Sequence, residues 1–406
     1  MAIQIQTGKR ATPAGAGGSH PFWGRAFRPF FLATGVYGCL VVAAWSAIWR
    51  GVLRAPAWLA PTWWHGHEML FGVVAAAVAG FLLTAAPVWT GRPALRGRPL
   101  AALFGLWVLG RIAMLAAGLL PASIVAAIDV AFLPVVAGVL VRTLWRTDQR
   151  RNYGVVALVG LLALANAAVH AQAIGNAPAS APRALRFAAD LVVVLIVVIG
   201  GRITPPFTTN ALIRVGVDAR ASSRPSLDRL AVAAVALLAG WGLVAPRGVA
   251  SGILAAVGGV AVAARMAGWQ TLETWRDALV WSLHAGMAWV AVGLVLVAAG
   301  DLGSISASAG LHALTAGAMG SMILAVMTRV SLGHTGRPLV LPSGAVGSYV
   351  LVHAGAAARV LSALAPPRLQ APLLLVGGML WATAFGVFAI VYSTILVRPR
   401  IDGQEG

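Results

Sequence analysis

The sequence predicts an all-α, polytopic membrane protein of about twelve transmembrane helices, arranged in three four-helix units. Three observations carry this reading. Stretch after stretch is long and apolar enough to cross a bilayer, whose hydrocarbon core needs roughly 20 predominantly apolar residues in a helix. Phe30 to Trp49, Phe71 to Trp89, Val155 to Gln172 and Leu373 to Leu396 are clear cases. The 406 residues are 59% hydrophobic and 10% charged, with a mean hydropathy of +0.85, more apolar surface than a soluble core of this length needs. The net charge of +19 is sorted by loop rather than spread along the chain.

In chain order the helices are expected at about 29–49, 66–89, 100–120, 122–143, 154–175 and 185–203, then at about 229–245, 249–266, 278–299, 308–330, 345–364 and 371–396. Residues 1–24, rich in Ala, Gly, Thr and Ser, are expected to be a disordered cytoplasmic N-terminus. They are not read as a cleaved signal, because the first apolar segment is a full span with no small-residue cleavage site behind it. The lead-in from Pro21 to Phe31 mixes Arg with aromatics, as an interfacial segment does. Between the second and third helices lie Arg92, Arg96 and Arg98. Between the fourth and fifth lie Arg142, Arg146, Arg150 and Arg151, and after the sixth come Arg202, Arg214, Arg220, Arg224 and Arg229. With the N-terminus inside, about 22 of the 30 Lys and Arg fall on the inner side and about 6 outside, with Arg111 and Arg359 inside helices. This basic charge marks topology and a contact surface for anionic lipid, not nucleic-acid binding.

Loops are short except 202–228, the expected linker between two halves. One membrane domain, 25–398, and a cytoplasmic tail, 399–406, complete the organisation. The lone cysteine, Cys39, lies mid-span, which excludes an internal disulfide. The second, sixth and tenth helices all run inward toward Gly-Arg turns: TGRP at Thr90 to Pro93, GGRITPP at Gly200 to Pro206, and TGRP at Thr335 to Pro338. His67 and His312 are each followed five residues later by Gly (Gly72, Gly317). A mark on every fourth helix suggests the threefold repeat; recurrent Gly-Arg-Pro helix ends would look the same.

The histidines carry the functional reading. His65 and His67, in WWHGHEM, sit at the outer end of the second helix, and His312 sits at the outer end of the tenth. His284 and His353 lie deeper toward the inside on the ninth and eleventh, and His334 marks the inner end of the tenth. Imidazole in a membrane must face the bundle interior and find a partner, and neutral imidazole is a preferred ligand for haem iron and for copper. His67 and His312 match in depth as a haem pair. Because i and i+2 differ by roughly 200° on a helix, His65 and His67 cannot both face one site unless the helix starts between them; one is expected to bind iron or copper while the other caps, bonds to water or serves a second site. Arg111 and Arg359 must meet anions at their depth: haem propionates, Asp129 or Asp190. Glu68 is placed to orient His67 through a hydrogen bond, and Met287, Met319 and Met322 offer soft sulfur. Copper is expected at His284, His334 and His353 with Met287, or at His65. No P-loop, dinucleotide fingerprint or C-x-x-C-H attachment site is present, so the haem expected is non-covalent and b-type.

The residues Trp63 to Pro93 resemble the signature of the NnrS family of haem- and copper-containing membrane proteins. So do RPFFL (Arg28 to Leu32), GGRITPPFT (Gly200 to Thr208) and HALTAGAMGSMILAVMTRVSLGHTGRPL (His312 to Leu339). The resemblance covers nearly the whole chain. It implies a twelve-helix protein of the bacterial inner membrane concerned with nitric oxide metabolism, denitrification and resistance to nitrosative stress. Its histidines correspond to His65, His67, His284, His312, His334 and His353, and Val88 stands where relatives often carry Asn. The pattern is also similar to the haem–copper oxidase core. However, the sixth helix has no His and the adjacent His pair of a seventh helix is absent, so that dinuclear centre cannot be built. The functions this leaves are a haem oxidoreductase or carrier for nitric oxide, a non-catalytic haem or nitric oxide sensor or assembly factor, and a secondary transporter. Without a soluble redox domain, any electrons must come from quinol or a redox protein.

Overall fold

Apolar runs of this length leave the backbone one way to satisfy its polar groups in lipid, and each predicted span is a helix. The computed structural model describes residues 20–177 and 179–404, and no β-strand occurs among them. The twelve spans are α1 (Phe27–Trp49), α2 (Pro61–Thr90), α3 (Arg98–Leu115), α4 (Ala122–Leu144), α5 (Arg150–Ala173) and α6 (Ser180–Arg214). They continue with α7 (Pro225–Val244), α8 (Val249–Ala267), α9 (Ala278–Asp301), α10 (Ala307–His334), α11 (Ala345–Leu364) and α12 (Pro367–Val397). Most of the expected disordered segment, 1–19, lies outside the described residues. His20 to Gly24 form a short 3-10 turn capped by the His20 ring, whose Nδ1 accepts from the Phe22 amide.

Two boundaries differ from the sequence reading. α2 begins at Pro61, a residue whose missing N–H costs nothing at a helix start, so WWHGHEM lies inside the helix. α6 does not end at Gly200 to Pro206 but continues to Arg214, across Pro205 and Pro206. Its 35 residues span about 52 Å, more than the roughly 30 Å hydrocarbon core, and take up half of the expected 202–228 linker. The TGRP turns do end helices: Gly91 (φ 69°) and Gly336 (φ 72°) take the left-handed conformation that closes α2 and the turn after α10. The Gly-Arg resemblance of the three segments therefore covers two helix stops and one continuation.

Burial singles out the same three helices that carry the Gly-Arg segments. The most apolar windows of α2, α6 and α10 are 83%, 67% and 67% buried, and no other span exceeds 50%. These three helices touch one another at the centre, while the others pack in succession around them and α12 closes onto α1. Closure is pinned by Arg28, fully buried, which donates to the carbonyls of Leu396 (2.8 Å) and Arg398 (2.6 Å) at the C-terminus of α12. A guanidinium there satisfies carbonyls left free by the helix end and meets its negative dipole. The start of α1 and the end of α12 therefore lie on one face of the bundle; His65, His67 and His312 lie toward the opposite, distal face.

Candidate cofactor and metal sites

The two histidine-bearing central helices share a local deformation. Directly after His67, α2 winds as a seven-residue π-helix, Glu68–Val74; directly after His312, α10 does the same over Ala313–Met319. π-Helical turns are rare and gather at functional sites. Each is clamped by an indole from a neighbour: Trp107 Nε1–H donates to Gly72 O (3.1 Å) and Trp381 Nε1–H to Ala316 O (3.1 Å). The glycine five residues after each histidine admits the neighbouring helix closely. A Cβ on Gly72 would lie 2.7 Å from Tyr37, and one on Gly317 2.6 Å from Trp289.

On one side of α2 is a closed polar cluster. His67 Nδ1 lies 2.9 Å from Glu68 Oε1, and His67 Nε2 lies 2.9 Å from Asn166 Oδ1 and 3.2 Å from Asp129 Oδ2. His170 Nε2 and Asn166 Nδ2 reach the same Asp129 oxygen at 3.0 and 2.9 Å. Arg111 joins the two acids, donating to Glu68 Oε1 (2.7 Å) and to Asp129 Oδ1, and the Tyr37 hydroxyl donates to Glu68 Oε2. Glu68 and His67 are fully buried, and Asp129, Asn166 and His170 nearly so. Trp58 covers both imidazoles, its ring centroid 5.0 Å from that of His67 and 5.2 Å from that of His170. The anion that Arg111 meets is therefore protein carboxylate, not a haem propionate. His170 and Asn166 were not singled out from sequence, although their i, i+4 spacing on an apolar helix places both on one face.

On the other side of α2, between α1, α6, α10, α11 and α12, lies a cavity of about 530 Å3. His65, His312, Arg186 and Arg359 face it amid apolar walls that include Trp45, Trp381 and Met319. His65 stacks on Trp45 (4.5 Å, 10°), and its Nδ1 is buried without a partner. His312 Nδ1 donates to the Ser308 carbonyl at 2.9 Å, which leaves the lone pair on Nε2. Arg359 is held by hydroxyls, at 3.1 Å from Ser362 Oγ and 3.0 Å from Ser308 Oγ, and has no carboxylate partner among the described residues. Arg186 bonds Asp190 through Nε at 3.3 Å, and its buried Nη2 is unpartnered. Of the two α2 histidines, His65 and not His67 lines this cavity together with His312. The roughly 200° between i and i+2 turns one ring to the cavity and the other into the polar cluster.

The inner histidines do not converge. His284 is engaged on both sides, Nε2 at 2.8 Å from Thr208 Oγ1 and Nδ1 at 2.9 Å from Thr271 Oγ1. His353 Nδ1 accepts from Trp289 Nε1–H at 3.0 Å. An indole can only donate, so that nitrogen carries the lone pair and the buried Nε2 the proton. His334 lies against Phe27, and its carbonyl accepts from Arg400. Met287 is buried against Gly200. Val88 is 63% exposed, so the residue type there touches no site. Among the described residues, the group of three potential ligands whose atoms lie within 4.8 Å of one another is His67, Asp129 and His170.

A family model described as NnrS protein matches residues 21–400, which takes in all twelve helices and both sites. The chain belongs to the NnrS family. No curated protein matches it. The membership agrees with the motif resemblance on α2, α6 and α10, where the central cavity and the polar cluster are built.

Proposed function

We propose that this NnrS family member is a haem- and copper-binding, multi-pass protein of the bacterial inner membrane, with both termini cytoplasmic. In this reading it binds or reduces nitric oxide in nitric oxide metabolism or in resistance to nitrosative stress. Family membership suggests the nitric oxide-related role. The observation that carries the cofactor is the distal cavity: two imidazoles and two arginines around about 530 Å3 of otherwise apolar space, within the range of small-molecule sites.

The residues fit a haem. His312 offers Nε2, its tautomer fixed by Ser308, and His65 offers an imidazole whose other nitrogen has no competing partner. Arg359 and Arg186 have guanidinium nitrogens for two carboxylates of the kind haem carries. Haem iron supplies a site at which a diatomic such as nitric oxide binds. If haem is bound there, Trp45 and Trp381 would wall the ring, Arg359 and Arg186 would neutralise its carboxylates, and the apolar lining would exclude water. Nitric oxide, small and nearly apolar, reaches such a site through lipid and needs no polar channel. Copper is the second ion the resemblance implies, and imidazole suits it.

The test is the optical spectrum of the detergent-purified protein, oxidised, dithionite-reduced, and reduced with nitric oxide. A Soret band that shifts with nitric oxide and disappears in His312→Ala is the expected result. Absence of any Soret band after expression with ample haem would overturn the reading in favour of transport.

A further inference from the structure

Three ligand-type side chains, His67, Asp129 and His170, meet in the buried polar cluster with Asn166 beside them. Asp129 Oδ2 faces His67 Nε2, His170 Nε2 and Asn166 Nδ2 at 3.2, 3.0 and 2.9 Å. Asn166 Oδ1 faces the same His67 nitrogen at 2.9 Å. His67 Nδ1–H donates to Glu68, so a neutral imidazole turns its Nε2 lone pair on two oxygens, and Glu68 and Asp129 against Arg111 leave one negative charge in a fully desolvated place. A cation on His67 Nε2, either a proton or a metal ion, removes that clash of lone pairs. A metal ion there takes the place of the imidazole N–H groups at Asp129 Oδ2, leaves Asn166 Nδ2 as that oxygen's single hydrogen bond, and brings positive charge to a cluster that is negative without it.

The geometry points to a metal centre of the N2O2 type, with His67 Nε2, His170 Nε2, Asp129 Oδ2 and Asn166 Oδ1 as ligands to one first-row divalent ion. Imidazole with carboxylate suits zinc, copper(II) and cobalt(II). The supporting contacts are those a metal site uses. His67 Nδ1–H donates to Glu68 at 2.9 Å, the carboxylate–histidine–metal arrangement that fixes tautomer and ring direction. Arg111 holds Asp129 by its other oxygen. The ligands come from three helices, α2, α4 and α5, and Trp58 closes the site toward the distal end. This deepens the metal-binding half of the proposed function and stands independently of the haem half.

The experiment is cobalt(II) binding to the full-length protein in detergent after chelator treatment, with metal counted by mass spectrometry and haem by its Soret band in the same samples. Wild type is expected to take up one cobalt per chain with the ligand-field absorption of a four-coordinate ion. His170→Phe, which keeps the ring volume, should lose that ion while haem content is unchanged. Glu68→Gln should keep the site and weaken it roughly 10–100-fold, which retains a test if His170→Phe does not fold. No cobalt uptake by wild type, or unweakened uptake in Glu68→Gln and His170→Phe, would overturn the site and leave protonated His67 as the missing cation. Cobalt uptake without haem would sink the haem reading alone.

Discussion

Arg111→Met should be among the most damaging single changes in the protein. The guanidinium bridges Glu68 and Asp129, all three buried, and its removal leaves two carboxylates facing one another without water. Breaking a buried ion pair by deleting one partner costs about 3–5 kcal/mol, which raises the unfolded-to-folded ratio by roughly two to three and a half powers of ten. The cost should fall when one carboxylate is neutralised. Arg111→Met with Asp129→Asn should be more stable than Arg111→Met alone, with a coupling of about 1–3 kcal/mol, as expected of side chains in one network. Arg111→Lys should lie between wild type and Met, because an ammonium cannot fork to two carboxylates as guanidinium does. Denaturant unfolding in detergent, followed by tryptophan fluorescence, measures the series. An Arg111→Met protein within about 1 kcal/mol of wild type, or a double variant no more stable than the single, would refute the charge accounting.

Other consequences are smaller and independent. Arg359→Met should lower haem retention through dialysis without abolishing the Soret band, since Arg186 remains as a second cation in the cavity. Equal retention would remove Arg359 from the site. Gly72→Ala places a Cβ 2.7 Å from Tyr37 and 3.0 Å from Arg111. It should cost about 1–3 kcal/mol by overpacking, visible as a lower unfolding midpoint. At the terminal face Arg400 clasps Asp402 (2.5 and 2.9 Å) and holds its carboxyl down to about 2. A depressed carboxyl stabilises above its unfolded pKa, about 4, and the effect fades as pH falls toward the folded value. Proteolytic protection of the tail should therefore be flat from about pH 8 to about pH 5 and be lost in Asp402→Asn.

Much of the fold was legible because a bilayer reduces the reading to length and apolarity. Each of the twelve expected spans is a helix, although α2 starts earlier and α6 runs further than expected. The exception at Gly200 to Pro206 is instructive: TGRP ends a helix where its glycine turns left-handed, whereas in GGRITPP the helix runs on through both prolines. Local chemistry does not say which occurs, because neighbouring helices decide it. The divergence of His65 from His67 was legible too, since it follows from the angle per residue. Which ring faces the cavity was not. That depends on where α4 and α5 bring Asp129, Asn166 and His170, contacts 37 to 41 residues apart in sequence. The inner histidines share a depth but not a point, which depth alone cannot distinguish.

The most direct test of the central claim is a paired comparison of His65→Ala and His67→Ala, each purified and assayed for haem per chain by its absorption spectrum. The two residues are two apart on one helix and equal in chemistry, so only the face each presents separates them. The account predicts a lost or strongly altered Soret band in His65→Ala and a wild-type spectrum in His67→Ala. The reverse outcome, a silent His65→Ala with haem lost in His67→Ala, would contradict it.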